Sequence, residues 1–262
     1  MKTRNKIGFS LLLIGFFILT AFKGDDKQGK WIQLFNGKDL DNWTVKIKGF
    51  EAGEDFKNTF RVEDGLLKVS YDQYDRFDNY FGHLFYNKPF ANYRLRVEYR
   101  FFGQHMADAP EWTYLNNGVM IFGQSPESME IDQNFPTSIE VQLLGSDGTY
   151  NPSNLNVCTP GTNIVLSGEL TREHCISSGS KTCPQGEWIV AEIEVRSDTI
   201  KHFLNGELVL QYSQPQLDEQ DETYAKLLPP NGDKILHGGT ISIQSEGHPI
   251  EFRKIDLQVL ED

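Results

Sequence analysis

Apolar and polar residues alternate along much of the chain, and one stretch near its middle shows the pattern most clearly. There Ile139, Val141 and Leu143 fall on one side of an extended strand, while Glu140 and Gln142 fall on the other. One apolar face and one polar face are typical of a strand that covers a hydrophobic core. We therefore predict a strand that presents a carboxylate and a carboxamide side by side.

A second run, residues 239–260, has a similar pattern and carries a matching set of polar side chains. The set comprises Gln244, Glu246, His248 and Arg253, and each of them can form directional hydrogen bonds. Two strands with such faces can line one hydrogen-bonding groove on a sheet. We expect both runs to contribute to a single groove.

Turn signals separate these candidate strands from others. The pair Asn205-Gly206 joins two alternating runs between Ile200 and Tyr212, which predicts a β-hairpin. Roughly a dozen short strands and no convincing amphipathic helix predict an all-β, antiparallel sandwich with long loops. The segments 145–186 and 213–238 resist a strand interpretation, and we predict that they are long loops that carry substrate selectivity.

The first 24 residues have the pattern of a secretory signal peptide, because three basic residues precede an apolar run from Phe9 to Leu19. This run is shorter than the ~20 apolar residues that span a bilayer as a helix. We therefore expect an exported protein, periplasmic or extracellular, whose mature form does not span a membrane. Residues 25–262 are expected to form a single β-sandwich domain, since sandwiches of this length are commonly one domain.

An acidic balance of charge narrows the class of ligand. The formal net charge is −12, and removal of the predicted signal peptide takes away four basic residues and no acidic ones, which gives −16. Such a surface repels phosphate backbones and anionic lipids, so we do not expect nucleic acid as a partner. A neutral ligand such as a sugar is compatible with this charge.

Three cysteines, Cys158, Cys175 and Cys183, lie close together in the sequence. In an exported protein one pair can form a disulfide while the third stays free, and the sequence leaves the pairing open. The chain has no Cys-x2-Cys spacing, so a zinc site is not indicated. Carboxylate and imidazole ligands for a divalent cation exist, but no spacing demands one, and the metal stays unknown.

Candidate chemistry centres on Glu140, which on a concave face can act as a base, an acid or an acceptor for a sugar hydroxyl. Gln142 and Gln244 are planar donor and acceptor groups of the kind that bind sugars, and Gln124 follows a strand into a turn beside the same groove. The alternative for Glu140 is an ordinary position on a solvent-facing strand. The chain has no Gly-x-Ser-x-Gly motif, which argues against a serine hydrolase.

Motifs in these same regions point to a known family. In order along the chain they are Trp31-Ile-Gln-Leu-Phe-Asn-Gly-Lys-Asp-Leu-Asp-Asn-Trp43, Asn116-Asn-Gly-Val-Met120, Ile139-Glu-Val-Gln142, Trp188, His202-Phe-Leu-Asn-Gly206 and Ile243-Gln-Ser-Glu-Gly-His-Pro-Ile-Glu-Phe-Arg253. With these motifs the chain resembles the 3-keto-disaccharide hydrolase domain family, which consists of exported bacterial proteins with a concanavalin A-like lectin/glucanase fold. The resemblance covers essentially all of the chain that follows the signal peptide.

The resemblance implies a jelly-roll sandwich and cleavage of glycosides whose C3 hydroxyl has been oxidised to a ketone. Such a ketone acidifies the C2 proton, so a base can start an elimination that expels the C1 oxygen, and water then adds to the unsaturated sugar. We assign the base role to Glu140 and stabilisation of the enolate to His248 or Arg253. The expected substrate contacts are Gln124, Gln142, Gln244 and Glu246.

Two other functions also fit the sequence. One is a non-catalytic, lectin-like module, for which the chain offers the aromatic platforms Tyr71, Tyr74, Phe77, Tyr80, Phe81, Trp112 and Tyr114. The other is a conventional two-carboxylate glycosidase that uses Glu140 with Glu130 or Glu246. A glycoside and its 3-keto derivative separate the three functions, since elimination cleaves only the keto sugar and a binding module cleaves neither.

Overall fold

Seventeen β-strands form almost all of the regular structure in the computed structural model, which describes residues 29–261. In chain order they are β1 (Trp31–Gln33), β2 (Trp43–Ile47), β3 (Phe60–Glu63), β4 (Leu66–Val69), β5 (Gly82–Tyr86), β6 (Tyr93–Phe101), β7 (Asn116–Gly123), β8 (Ile139–Leu144), β9 (Asn156–Cys158), β10 (Thr162–Leu166), β11 (Glu169–Thr171), β12 (Cys175–Ile176), β13 (Ile189–Arg196), β14 (Thr199–Leu204), β15 (Glu207–Leu217), β16 (Thr240–Ser245) and β17 (Ile250–Val259). Short 3-10 turns cover Phe56–Asn58, Glu111–Thr113 and Pro126–Ser128, and α1 covers Tyr224–Leu227. The predicted signal peptide lies outside the described residues.

The strands make two antiparallel sheets. Ten strands form one sheet, in the order β11-β10-β15-β14-β13-β6-β17-β4-β3, with β1 paired to β17. The other seven form the second sheet, in the order β12-β9-β8-β7-β16-β5-β2. This confirms the predicted all-β antiparallel sandwich, and the pairing of β14 with β15 confirms the predicted hairpin.

Apolar residues from the facing sides of both sheets form one core. Val141 of β8 and Ile243 of β16 meet Val97 of β6 and Ile255 of β17 there, and all four are fully buried. Burial of each such side chain contributes about 1.5–3 kcal/mol to the folded state. Because side chains alternate along a strand, the polar partners of these residues must lie on the outer faces of the sheets.

Two predictions about the chain path are wrong. Residues 145–186 are not one long loop, because the short strands β9 to β12 lie within them. Residues 239–260 do not form one polar face, because β16 belongs to the seven-stranded sheet and β17 to the ten-stranded sheet. The turn between them crosses from one sheet to the other, so the alternation of side chains along this run does not describe a single surface.

The disulfide joins Cys158 to Cys175, which are register partners on the neighbouring strands β9 and β12. Cys183 is a buried free thiol. The sequence had left this pairing open. Within residues 29–261 no helix has the length and apolar character needed to cross a membrane.

Candidate active site

The outer face of the seven-stranded sheet builds a cavity of about 390 Å³. Two neighbouring rows of side chains cross this sheet. Glu140 of β8 stands in register with Cys158 of β9, and Gln142 stands in register with Gly118 of β7 on its other side. The register of β16 against β7 continues the second row to Gln244. Because side chains alternate along each strand, these registers place Glu140, Gln142 and Gln244 on the same surface, as the sequence pattern of β8 predicted.

Gly118 lies at the centre of this surface and leaves room above its backbone. A methyl group at this position would come within 2.6 Å of Glu140 Oε1 and 2.9 Å of Gln244 Oε1. Because one methyl carbon would approach both atoms, the separation of Glu140 Oε1 and Gln244 Oε1 cannot exceed the sum of these two distances. An isolated glycine in a strand often marks such a close approach.

Two glutamates share the cavity, since both Glu140 and Glu246 line it. Their side chains are buried, with relative exposures of 8% for Glu140 and 1% for Glu246. Burial raises the pKa of both carboxyl groups, and the charge of Glu140 raises the pKa of Glu246 further. The pair therefore holds at least one proton near neutral pH, which provides a proton donor. Burial raises the pKa of Glu140 to about 8, so Glu140 becomes a proton acceptor as pH rises toward that value.

Several buried polar atoms of the cavity residues have no hydrogen-bond partner within residues 29–261. They are Gln244 Oε1, Glu246 Oε1 and Asn116 Oδ1. More than nine in ten buried polar groups in folded proteins have a partner, so unpaired groups need an explanation. A polar ligand such as a sugar hydroxyl would satisfy these atoms.

A neighbouring side chain orients the Gln142 amide group, and aromatic side chains supply an apolar wall. Gln142 Oε1 accepts a hydrogen bond of 3.2 Å from Asn156 Nδ2, which directs its amide group. Trp112 lines the cavity although it is 55% exposed, and its ring stacks on Phe81 with centroids 5.7 Å apart. Phe135 lines the same cavity. An indole held in this way at a cavity mouth presents a flat apolar face to a ligand.

His248 was predicted as a catalytic residue, but the structure does not place it among the cavity residues. Its Nδ1 accepts a hydrogen bond of 3.1 Å from the backbone N–H of Leu115, and its ring packs against Phe101, His105 and Tyr114. Burial, with a smaller effect of His105, lowers the pKa of His248 to about 3. The imidazole is therefore neutral and packed in the turn after β16.

Arg253 was also predicted as a catalytic residue, and the structure places it on the other sheet. It lies in β17, where its Nε donates to Glu98 Oε2 at 2.7 Å and its guanidinium stacks over the Trp188 ring at 4.5 Å. The crossing of the chain between β16 and β17 separates it from Gln244. It is a member of a surface ion pair and does not line the cavity.

Gln124 was predicted to contact substrate, but its side chain holds a loop. Its Oε1 accepts hydrogen bonds from the backbone N–H of Thr137 at 2.8 Å and from Gln133 Nε2 at 2.9 Å. Its Nε2 donates to Ser128 Oγ at 3.1 Å. The amide group of Gln124 is thus bonded to Ser128, Gln133 and Thr137. The loop that these hydrogen bonds hold places Phe135 in the cavity wall.

The structure adds cavity residues that the sequence did not single out. Asn116 lies two residues before Gly118 in β7, and the disulfide of Cys158 and Cys175 forms part of the wall together with His174. The isolated glycine in an apolar strand was a detectable signal. The disulfide wall had none, because the pairing depends on how β9 and β12 meet. Among residues 29–261 no group of three or more His, Cys, Asp or Glu side chains could hold a metal ion.

A family model described as a 3-keto-alpha-glucoside-1,2-lyase-like domain matches residues 30–258. The chain belongs to this family. The match confirms the resemblance on which the sequence analysis relied, and it makes the chain a carbohydrate-active protein. No curated protein matches the chain.

Solved structures show the same fold. Two proposed glycosyl hydrolases from Parabacteroides distasonis ATCC 8503 are each 18% identical to this chain, with TM-scores of 0.53 and 0.51. The first match covers 88% of this chain and 100% of the relative, and the second covers 89% and 94%. A Bacillus subtilis protein of unknown function with a galectin-like fold has a TM-score of 0.52 at 11% identity and covers 91% and 99%. These likenesses support the jelly-roll architecture.

Proposed function

We propose that this protein cleaves the glycosidic bond of 3-keto glycosides by removal of the C2 proton, elimination and hydration. Glu140 is the base and Glu246 is the acid in this proposal. The observation that carries it is the buried pair of carboxyl groups in a sugar-sized cavity. Family membership supports the substrate class. In this assignment Glu246, which lines the same cavity as Glu140, takes the place of His248 and Arg253.

The first step uses the acidity that a C3 ketone gives to the neighbouring C2–H bond. The carboxylate of Glu140 takes the proton, and the electrons of the broken bond form an enolate across C2 and C3. Burial raises the pKa of Glu140, which makes its carboxylate a stronger base than an exposed one. General base catalysis of this kind contributes about 10²- to 10⁴-fold to a rate.

The enolate then expels the leaving group. The C3 ketone re-forms, a double bond forms between C1 and C2, and the C1–O bond breaks while Glu246 gives its proton to the departing oxygen. Water next adds to C1 and passes a proton to the Glu246 carboxylate. Glu140 returns its proton to C2. Both carboxyl groups recover their starting protonation states, and the net reaction is hydrolysis.

Amide groups and one indole complete the proposed site. Gln142 and Gln244 line the cavity beside Glu140, and their N–H groups can donate to ring hydroxyls and to the enolate oxygen. One well-placed donor to a developing oxyanion is worth about 10²- to 10³-fold in rate. Trp112 offers its flat face to the apolar side of the sugar ring.

We further propose that the protein acts after export, in the periplasm or outside the cell. The basic and apolar pattern of the first 24 residues supports export. The disulfide of Cys158 and Cys175 is consistent with an oxidising compartment.

The decisive experiment offers the purified protein a glycoside and its 3-keto derivative and follows release of the leaving group. We expect cleavage of the 3-keto sugar only, with a slower rate when C2 carries deuterium. Glu140→Gln should lower kcat by about 10²- to 10⁴-fold, because it removes the base. Glu169→Gln is the matched control, since Glu169 is an exposed carboxylate on β11 and lies outside this cavity. An unchanged rate in Glu140→Gln with an unchanged Tm would remove Glu140 from the mechanism.

The same pair of carboxyl groups favours one second candidate, a conventional glycosidase that uses Glu140 and Glu246 on an unoxidised sugar. Cleavage of the unoxidised glycoside at a comparable rate would establish that function instead. Binding of both sugars without any product would make the protein a lectin-like module.

A further inference from the structure

A second cavity of about 410 Å³ lies beside the proposed active site. The two cavities have three wall residues in common, Phe135, Pro160 and His174. A ligand that extends beyond the first cavity in this direction therefore enters the second.

The second cavity is acidic. Asp132, Asp221 and Glu222 line it, and no Lys or Arg is among its wall residues. Asp221 uses Oδ1 to accept hydrogen bonds from Thr223. The carboxylates of Asp132 and Glu222 make no hydrogen bond or ion pair in the part of the chain that the structure describes. Two wall carboxylates are thus available to a ligand.

Contacts between loops give this cavity fixed walls. Thr137 Oγ1 and Thr223 Oγ1 form a hydrogen bond of 2.8 Å across it. The backbone N–H of Asp218 donates to the carbonyl of Gly161 at 3.0 Å, and Lys226 pairs with Glu130 at the far end. The loops that contribute the carboxylates are therefore connected to each other and to the loop that carries Phe135.

We propose that the second cavity binds the leaving group of the substrate and that its carboxylates select leaving groups by charge. Neutral sugars and amino sugars are accepted there, whereas leaving groups with a carboxylate or a phosphate are rejected. This inference rests on the proposed function, because it assigns the 3-keto ring to the cavity that contains Glu140 and Glu246.

Coulombic repulsion is the physical basis of this selectivity. Hydroxyl and ammonium groups can donate to the free carboxylates of Asp132 and Glu222, but an anionic leaving group cannot. It would lie close to the three wall carboxylates in a partly enclosed site. Lys226 interacts with Glu222 and Lys46 interacts with Asp132, but neither lysine is a wall residue, and Lys226 is paired with Glu130, so the wall stays acidic. We expect a penalty of at least about 10-fold in kcat/KM.

The test compares 3-keto glycosides that share one 3-keto ring and differ only in the leaving group. The leaving groups are a hexose, the matching hexosamine, the matching hexuronic acid and methanol. We expect kcat/KM for the hexuronide to be at least about 10-fold below that for the hexoside, and we expect the gap to narrow at high salt, since mobile ions screen exposed charges. The double variant Asp132→Asn, Glu222→Gln should also narrow the gap, whereas Glu169→Gln, an exposed carboxylate on β11, should not.

The outcomes separate this inference from the proposed function. Cleavage of the methyl 3-keto glycoside supports the proposed function whatever the leaving-group selectivity is. Equal kcat/KM for hexoside and hexuronide would overturn the inference and leave the function intact. Calorimetry then measures the affinity for the matching unoxidised disaccharides, which tests the charge selectivity independently of catalysis. Equal affinity for the neutral and anionic disaccharides, or no binding of either, would also overturn it.

Discussion

At the scale of the single residue, the absence of a side chain at Gly118 makes the proposed chemistry possible. Gly118→Ala would place a methyl group within 2.6 Å of Glu140 Oε1 and 2.8 Å of Glu140 Cγ. The carboxylate must then move, and a displacement of about 1 Å at a reacting group can cost on the order of 10²-fold in rate. We expect a loss of that size in kcat/KM on a 3-keto glycoside, with a fold that still melts cooperatively.

Gly179→Ala is the matched control for this substitution. A methyl group there would meet only the Val209 carbonyl at 3.5 Å, which is ordinary van der Waals contact. Its kcat/KM should equal that of the unaltered protein. If Gly118→Ala retains full activity, Glu140 does not need the position that the structure gives it.

The sequence determined the side of β8 on which each residue lies, because alternation along one strand is a local property. It therefore placed Glu140 and Gln142 together correctly. It did not determine the surroundings of His248 or Arg253, because their positions depend on where the chain leaves one sheet for the other. Glu246, named from the sequence as a substrate contact and as the second carboxylate of a conventional glycosidase, lies in the same cavity as Glu140.

At the scale of the element, Gln124 fixes the loop that carries Phe135 to the cavity wall. Gln124→Ala would leave the backbone N–H of Thr137 without its acceptor, which costs about 1–3 kcal/mol for a buried donor. We expect faster hydrogen exchange in residues 133–137 and a several-fold rise in KM, with a smaller change in kcat. Hydrogen exchange followed by mass spectrometry and steady-state kinetics measure the two effects.

Gln124→Glu serves as the comparison, since it keeps the acceptor for Thr137 and loses only the donor to Ser128. Hydrogen exchange in residues 133–137 should be slower in Gln124→Glu than in Gln124→Ala. Equal exchange in the unaltered protein and both variants would show that other contacts hold this loop.

Among the elements, the strands with clear alternation were predictable and the short ones were not. Strands such as β9 and β12 have two or three residues, which is too few for a periodic pattern, and their pairing is between distant parts of the chain. The hairpin of β14 and β15 was predictable, because its Asn205-Gly206 turn is a local signal.

At the scale of the whole molecule, the buried carboxyl pair links stability to pH. The pKa of Glu246 is raised in the folded state above the value of about 4.3 that it has in an unfolded chain. The folded state therefore holds a proton that the unfolded state loses, and the free energy of unfolding falls as pH rises through this window. The fall reaches about 1.4 kcal/mol per pH unit for one fully responding group.

Glu246→Gln removes this titration and keeps a neutral side chain of similar shape. Relative to the unaltered protein, the variant should gain stability as pH rises from about 4.3 toward the alkaline side, up to the folded-state pKa. Urea unfolding at a series of pH values measures the difference. Glu54→Gln removes an exposed carboxylate, and the free energy of unfolding of this variant should change with pH in parallel with that of the unaltered protein. Parallel curves for all three proteins would contradict the raised pKa of Glu246.

The overall class of the molecule was the easiest part to predict, since dozens of residues contribute to the alternation and the turns. The association of the two sheets was harder to derive, because it depends on crossings such as the one between β16 and β17. Family motifs supplied what periodicity did not, namely the jelly-roll arrangement and the class of ligand.

The bond between Cys158 and Cys175 holds the two-residue strand β12 at the edge of the cavity, next in register to Glu140. His174, which lines both cavities, is the residue immediately before Cys175. A newly synthesised chain in a reducing cytosol would lack this anchor. The wall between the two cavities would then mature only after oxidation, so under the proposed export the protein would gain its activity in the oxidising compartment and not in the cytosol.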